Sequence, residues 1–175
     1  MKKTIAVTMI LGALAASRVQ ANEYLAEGGH EIKVEAVLDE NSTNDGDPTL
    51  GFEIAYGESL YDFDMVSIFV GHRENTDQDF SVVGLQFDEH YDVENMYLTP
   101  YLGVGFGYTW TEVDGGEDLD SFLVRGEAGV RHRISERMDV SFSAKYEWTE
   151  NHALLSNGTA DDKNWSFGLG LRYSY

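Results

Sequence analysis

The stretch Asn164–Tyr175, NWSFGLGLRYSY, sorts its side chains by parity. Trp165, Phe167, Leu169, Leu171, Tyr173 and Tyr175 share one face, while Asn164, Ser166, Gly168, Gly170, Arg172 and Ser174 share the other. Successive residues of a strand point to opposite sides, so this segment is a strand with one wholly apolar surface and one polar or bare surface.

The same period of two recurs upstream. His30–Leu38 sets Ile32, Val34, Ala36 and Leu38 against Glu31, Lys33 and Glu35, and Thr49–Gly57 sets Leu50, Phe52, Ile54 and Tyr56 against Gly51, Glu53 and Ala55. Phe63–His72 is apolar on both faces, which leaves its orientation open, and the orientation of Phe80–Phe87, which follows it, is open as well. Met96–Trp110 gathers Leu102, Val104, Phe106, Tyr108 and Trp110 on one side and Gly103, Gly105 and Gly107 on the other. Ser121–Arg133 opposes Phe122, Val124, Ala128 and Val130 to Arg125, Glu127, Gly129 and Arg131, and Asp139–Thr149 opposes Val140, Phe142, Tyr146 and Trp148 to Ser141, Lys145 and Glu147. Eight such strands with hairpin-length connections predict an all-β antiparallel meander. The connections after the first, third, fifth and seventh strands (39–47, 73–79, 111–120 and 150–163) are mostly longer and acidic. Those over 58–62 and 134–138 read as tight turns, and 88–95 as an intermediate one.

Ahead of the strands, Lys2 and Lys3 precede an apolar run from Ile5 to Ala16 and a Val19-Gln20-Ala21 cleavage site, the pattern of a secretory signal peptide over 1–21. Arg18 interrupts the run, which is shorter than the roughly 20 apolar residues that a spanning helix needs. Residues 22–175 then form one domain. Removing the signal takes away three of 12 basic residues and none of 31 acidic ones, leaving a formal charge of −22. Such acidity opposes nucleic acid and anionic headgroups as partners of basic patches, and it favours divalent cations at the loops. No cysteine is present, so disulfides and thiolate chemistry are excluded.

Alternation suits a soluble sandwich or a lipocalin-like barrel as well as a membrane barrel. Three features favour the membrane. With the first strand running outward, Trp110, Trp148 and Trp165 fall at the outer rim of the apolar face, with Tyr108 beside them, while Tyr56, Tyr173 and Tyr175 fall at the inner rim. Aromatics with a polar tip collect at both membrane interfaces. Glycines crowd the polar face, where a water-exposed strand only loses stability from them. The third feature is charge. Lys33, Arg125, Arg131, Lys145 and Arg172 balance Glu35, Glu53, Glu127 and Glu147 on that face of an otherwise acidic chain. An eight-stranded barrel has a bore just wide enough for side chains, and charges buried there must pair. A mean hydropathy of −0.33 does not oppose this, because only alternate residues of such a barrel meet lipid.

The signal peptide, the segment PYLGVGFGYTW at Pro100–Trp110, the run GEAGVRHRIS at Gly126–Ser135 and the aromatic C-terminal strand together resemble the small bacterial outer-membrane β-barrel superfamily, with its OmpA/OmpX-type, opacity-type and porin-like barrels. The resemblance implies an eight-stranded up-and-down transmembrane barrel in the outer membrane of a Gram-negative bacterium. Its expected partners are outer-membrane lipid and lipopolysaccharide, with assembly machinery reading the last strand. It implies a non-enzymatic role without cofactors, in envelope integrity or surface adhesion. A narrow small-solute channel is an alternative. So is a lipid A-modifying enzyme using His72 with Glu74, or His152 with Ser156. Asp39, Asp45 and Asp47 offer alternating oxygen ligands, without the fixed glycine and distal glutamate of a calcium loop.

Overall fold

A computed structural model describes residues 28–39, 49–61, 64–74, 78–91, 98–113, 117–150 and 162–175. Eight strands form a closed barrel in chain order: β1 (His30–Asp39), β2 (Leu50–Tyr61), β3 (Asp64–Glu74), β4 (Gln78–His90), β5 (Leu98–Val113), β6 (Leu119–Ser135), β7 (Met138–Thr149) and β8 (Lys163–Ser174). Every neighbouring pair is antiparallel. The barrel closes where β1 meets β8, from Glu31 opposite Ser174 to Asp39 opposite Ser166. Two backbone hydrogen bonds between His30 and Tyr175, of 3.2 and 3.0 Å, carry that seam to the last residue. Closure leaves no strand edge, the condition a sheet must meet to cross hydrocarbon.

The apolar faces point outward. On β8, Trp165, Phe167, Leu169, Leu171 and Tyr173 are exposed, and Asn164, Ser166, Arg172 and Ser174 are buried. The same inversion runs through Phe52 and Ile54 of β2 and Leu102 and Phe106 of β5. The buried residues are instead mostly polar or charged. Large side chains exposed all round the barrel with ionised ones inside need a solvent of hydrocarbon.

Most strands exceed the spans expected from the sequence. Residues 58–61, 73–74, 78–79, 88–90, 111–113 and 119–120, read above as turns or acidic loops, belong to β2, β3, β4, β5 and β6. Their polar outward positions lie beyond the aromatic girdles, so composition marks where lipid ends while the ladder continues into water. One consequence corrects the loop asymmetry. The connection after β3 shortens to 75–77, whereas that after β4 spans 91–97. The orientation left open for β3 is resolved. Ile68 and Val70 face out, Met65, Ser67, Phe69 and Arg73 face in, and Phe80, Gln86, Asp88 and His90 of β4 join them.

Candidate functional site

Two constellations carry chemistry, the filled bore and a cluster on the outer wall. All nine charged residues expected in the lumen are buried there: Lys33, Glu35, Glu53, Arg125, Glu127, Arg131, Lys145, Glu147 and Arg172. Arg73, Glu31, Asp39, Asp88 and Asp139 join them, giving eight carboxylates and six cations among the described residues. The near balance expected from sequence thus becomes an excess of acid.

These groups form three tiers. In the outer tier, Arg73 Nη1 and Nη2 donate to Glu147 Oε2 and Oε1 at 2.5 and 2.8 Å, and Nη1 also reaches Asp39 at 3.2 Å. Strands β3 and β7 lie opposite each other in a ring of eight, so this bridge spans the bore. In the middle tier Arg125 reaches across from β6 to Glu53 on β2, at 2.6 and 3.1 Å, again a full diameter. Lys33 sits 3.4 Å from both Glu35 and Glu53 and 3.5 Å from Glu127. Lys145 pairs with Glu35 and, at 3.2 Å, with Glu53. Gln86 accepts from Arg125 Nε at 2.7 Å and donates to Glu127 at 2.9 Å, and Tyr101 donates to Glu127 at 2.7 Å. In the inner tier Arg131 pairs with Glu31 and Asp139 and contacts His90 at 3.1 Å, while Arg172 donates to Glu31 at 2.9 Å. Bidentate guanidinium-carboxylate pairs are the strongest hydrogen-bonded ion pairs, and here they offset the desolvation of both partners.

The lumen aromatics explain why β3 looked apolar on both faces and why the orientation of β4 stayed open. The Arg125 guanidinium lies 3.6 Å from the centroid of Phe69, and that of Arg73 5.1 Å from Phe80. Arginine stacks on aromatic faces, so these rings belong to the charge network. Glycine supplies the space. A Cβ at Gly105 would come within 2.9 Å of Arg125 Cγ, and one at Gly168 would collide with the Glu35 carboxyl and stand 2.6 Å from Ser143 Oγ. Between the middle and inner tiers, a cavity of about 10 Å³ lined by Glu31, Lys33, Ser67, Asp88 and Arg172 has room for about one water molecule.

The girdles fall at opposite rims. Trp110, Trp148 and Trp165 are exposed near the outer ends of β5, β7 and β8, with the Trp165 ring 5.0 Å from that of Tyr146. Tyr108 donates to Asp120 beside them. At the inner rim Tyr56 and Tyr175 each lie 5.8 Å from the His30 ring, and Tyr173 packs on Tyr175.

The outer-wall cluster was only half visible in sequence. His72 and Glu74 share the outward face of β3, and β4 brings Ser81 opposite His72 and Asp79 opposite Glu74. His72 Nδ1 is 3.0 Å from Ser81 Oγ. A nitrogen of His72 and one oxygen each of Glu74 and Asp79 lie within 4.8 Å of one another. Asp39, a weak candidate above for a loop ligand, is instead buried in the bore against Arg73, because its parity on β1 points it inward. Asp45, Asp47, His152, Ser156 and the 1–21 signal segment lie outside the described residues.

Comparison with known proteins agrees with this architecture. The family model described as outer membrane protein beta-barrel domain matches residues 4–174. Neisserial surface protein A superposes with a TM-score of 0.67 at 17% identity, covering 85% of this chain and 100% of that one. The N-terminal β-barrel domain of Pseudomonas aeruginosa OprF gives 0.65 at 15%, covering 85% and 98%. Ail of Yersinia pestis, in complex with the heparin analogue sucrose octasulfate, gives 0.53 at 18%, covering 85% and 99%. No curated protein matches by sequence. An outward apolar wall between aromatic rims, a charge-filled bore and a family match across nearly the whole chain lead to one conclusion: the protein belongs to the outer-membrane β-barrel family of Gram-negative bacteria.

Proposed function

We propose that the protein is a non-enzymatic barrel whose closed bore is a rigid stake holding acidic surface segments at the cell exterior, where they serve envelope integrity or adhesion. The observation that carries this reading is the pair of bidentate arginine-glutamate bridges, Arg73–Glu147 and Arg125–Glu53, each crossing the whole bore at a different height. Two such crossbars oppose solute flow and stiffen the wall. The formal charge of −19 disfavours a heparin-like polyanion as the surface partner, and favours cationic or cation-bridged partners, including lipopolysaccharide through divalent ions. The expected reader of the last strand during insertion is the outer-membrane assembly machinery.

Planar-bilayer recording tests the closed bore. Wild-type protein is expected to give no steady conductance, and a deletion of 151–161 is expected to abolish surface binding without opening a pore. A stable ohmic conductance in the wild type would contradict the reading and favour the small-solute channel. A second reading, hydrolysis of outer-leaflet acyl esters, is supported by the 3.0 Å contact of His72 with Ser81 beside two carboxylates. It stands second because the ladder pairing around Ser81 occupies the backbone amides that would stabilise an oxyanion. Release of fatty acid from lipopolysaccharide, lost in Ser81→Ala, would reverse that order.

A further inference from the structure

The outer rim of the β3–β4 hairpin holds an arrangement that neither the filled bore nor surface display accounts for. Along the register, His72 faces Ser81, which faces Trp110, so the imidazole lies level with a girdle tryptophan. One step outward, Glu74 faces Asp79, and Asp79 faces Glu112. Three carboxylates therefore stand in a row across three strands, at the height of lipid headgroups. Like charges directly opposite on neighbouring strands are destabilising, and no ion pair to Glu74, Asp79 or Glu112 occurs among the described residues. The nearest arginine in sequence, Arg73, points into the bore and is bound to Glu147 and Asp39.

What distinguishes this row from ordinary acidic surface is the imidazole. His72 is half-buried against Phe52, with ring centroids 6.1 Å apart, and its Nδ1 is held by Ser81 at 3.0 Å. With Nδ1–H donating to Ser81 Oγ, Nε2 keeps its lone pair and the ring is held in place, the tautomer and orientation that metal-ligating histidines adopt.

We propose that His72, Glu74 and Asp79 form a zinc-class divalent cation site on the outer wall, clamping β3 to β4 at the membrane surface. One imidazole nitrogen with two carboxylate oxygens is a donor set for zinc. Calcium takes six to eight oxygens and magnesium retains its water. Ligands around tetrahedral zinc stand about 3.5 Å apart, since each bond is about 2.0–2.2 Å. The 4.8 Å spread here closes by rotation of two exposed carboxylate side chains. Three protein ligands leave the fourth position open to water or to an oxygen of a neighbouring headgroup phosphate.

Calorimetry on folded, chelator-treated protein in detergent, titrated with zinc chloride and separately with magnesium chloride, tests the site. One zinc per chain is expected to bind, with no matching magnesium heat. His72→Ala is expected to remove that binding, and Ser81→Ala, which frees the ring, to weaken it about ten-fold. Zinc is further expected to raise the thermal midpoint of the wild type and leave that of His72→Ala unchanged. Heat-modifiable gel migration establishes that each variant is folded. Should His72→Ala misfold, Glu74→Gln carries the same expectation at an exposed position. Absence of zinc heat in the wild type overturns the proposal. So does undiminished zinc binding in folded His72→Ala, which would move the ion to other acidic groups.

Discussion

Arg125→Met is expected to destabilise the folded barrel by about 3–5 kcal/mol, measured by urea unfolding in lipid vesicles. Arg125 is 1% exposed and makes two hydrogen bonds to Glu53, two to Gln86 and a stack on Phe69, with Glu127 3.8 Å away. Methionine preserves much of the volume, so the loss is not mainly one of packing. It arises because Glu53 and Gln86 stay in place, sealed from water, without the cation that offset their desolvation. Glu53 retains Lys33 and Lys145 at 3.4 and 3.2 Å, which sets the loss below that of a fully isolated charge. Adding Glu53→Gln is expected to recover about 0.5–3 kcal/mol relative to the sum of the two single changes, the signature of groups in one network. A loss under about 1 kcal/mol would mean that water reaches the middle tier, and the bore would then be a wet path.

The second large effect lies on the opposite surface. Leu169→Arg is expected to cost about 2–4 kcal/mol in the same assay. Leu169 is 61% exposed at the middle of β8, between Ala36 of β1 and Phe142 of β7. In a water-soluble protein an exposed leucine accepts arginine within about 0.5 kcal/mol, since nothing has to be desolvated. In hydrocarbon the guanidinium must bend toward an interface or draw water inward. The penalty should fall with depth. Leu50→Arg, at the outer end of β2, is expected to cost about 0–1 kcal/mol. A flat profile across the two positions would contradict a membrane wall.

Both predictions rest on which side each residue faces, and most of that was legible in the sequence. On β1, β2, β5, β6, β7 and β8 most large apolar residues keep one parity, while Val37, Tyr101 and Leu123 turn into the bore, so faces follow from counting by two. At β3 and β4 parity left the orientation open for a physical reason. Phe69 and Phe80 face the bore as platforms for guanidinium groups, and an apolar residue in a polar interior looks like a residue on the lipid side. Arg73 was hidden differently. It sits in the acidic stretch RENTDQD and was read as loop, although its parity with Met65, Ser67 and Phe69 pointed inward. Asp88 and His90 likewise continue the even face of β4, beyond Gln86, into what looked like a turn. Which charges meet across the bore had no local signal at all. Arg73 and Glu147 are 74 positions apart, and they meet only because closure places β3 opposite β7. The outer-wall cluster needed the β3–β4 register in the same way, since Ser81 and Asp79 become neighbours of His72 and Glu74 only by pairing.

Lipid wets the outer wall, and the three tryptophans report on that directly. Their fluorescence can be measured in vesicles containing lipids brominated along the acyl chain. The prediction is strong quenching by the acyl-chain bromines for Trp110, Trp148 and Trp165, with little quenching by aqueous iodide. Emission indifferent to brominated lipid, from protein that stays monomeric without detergent, would contradict it.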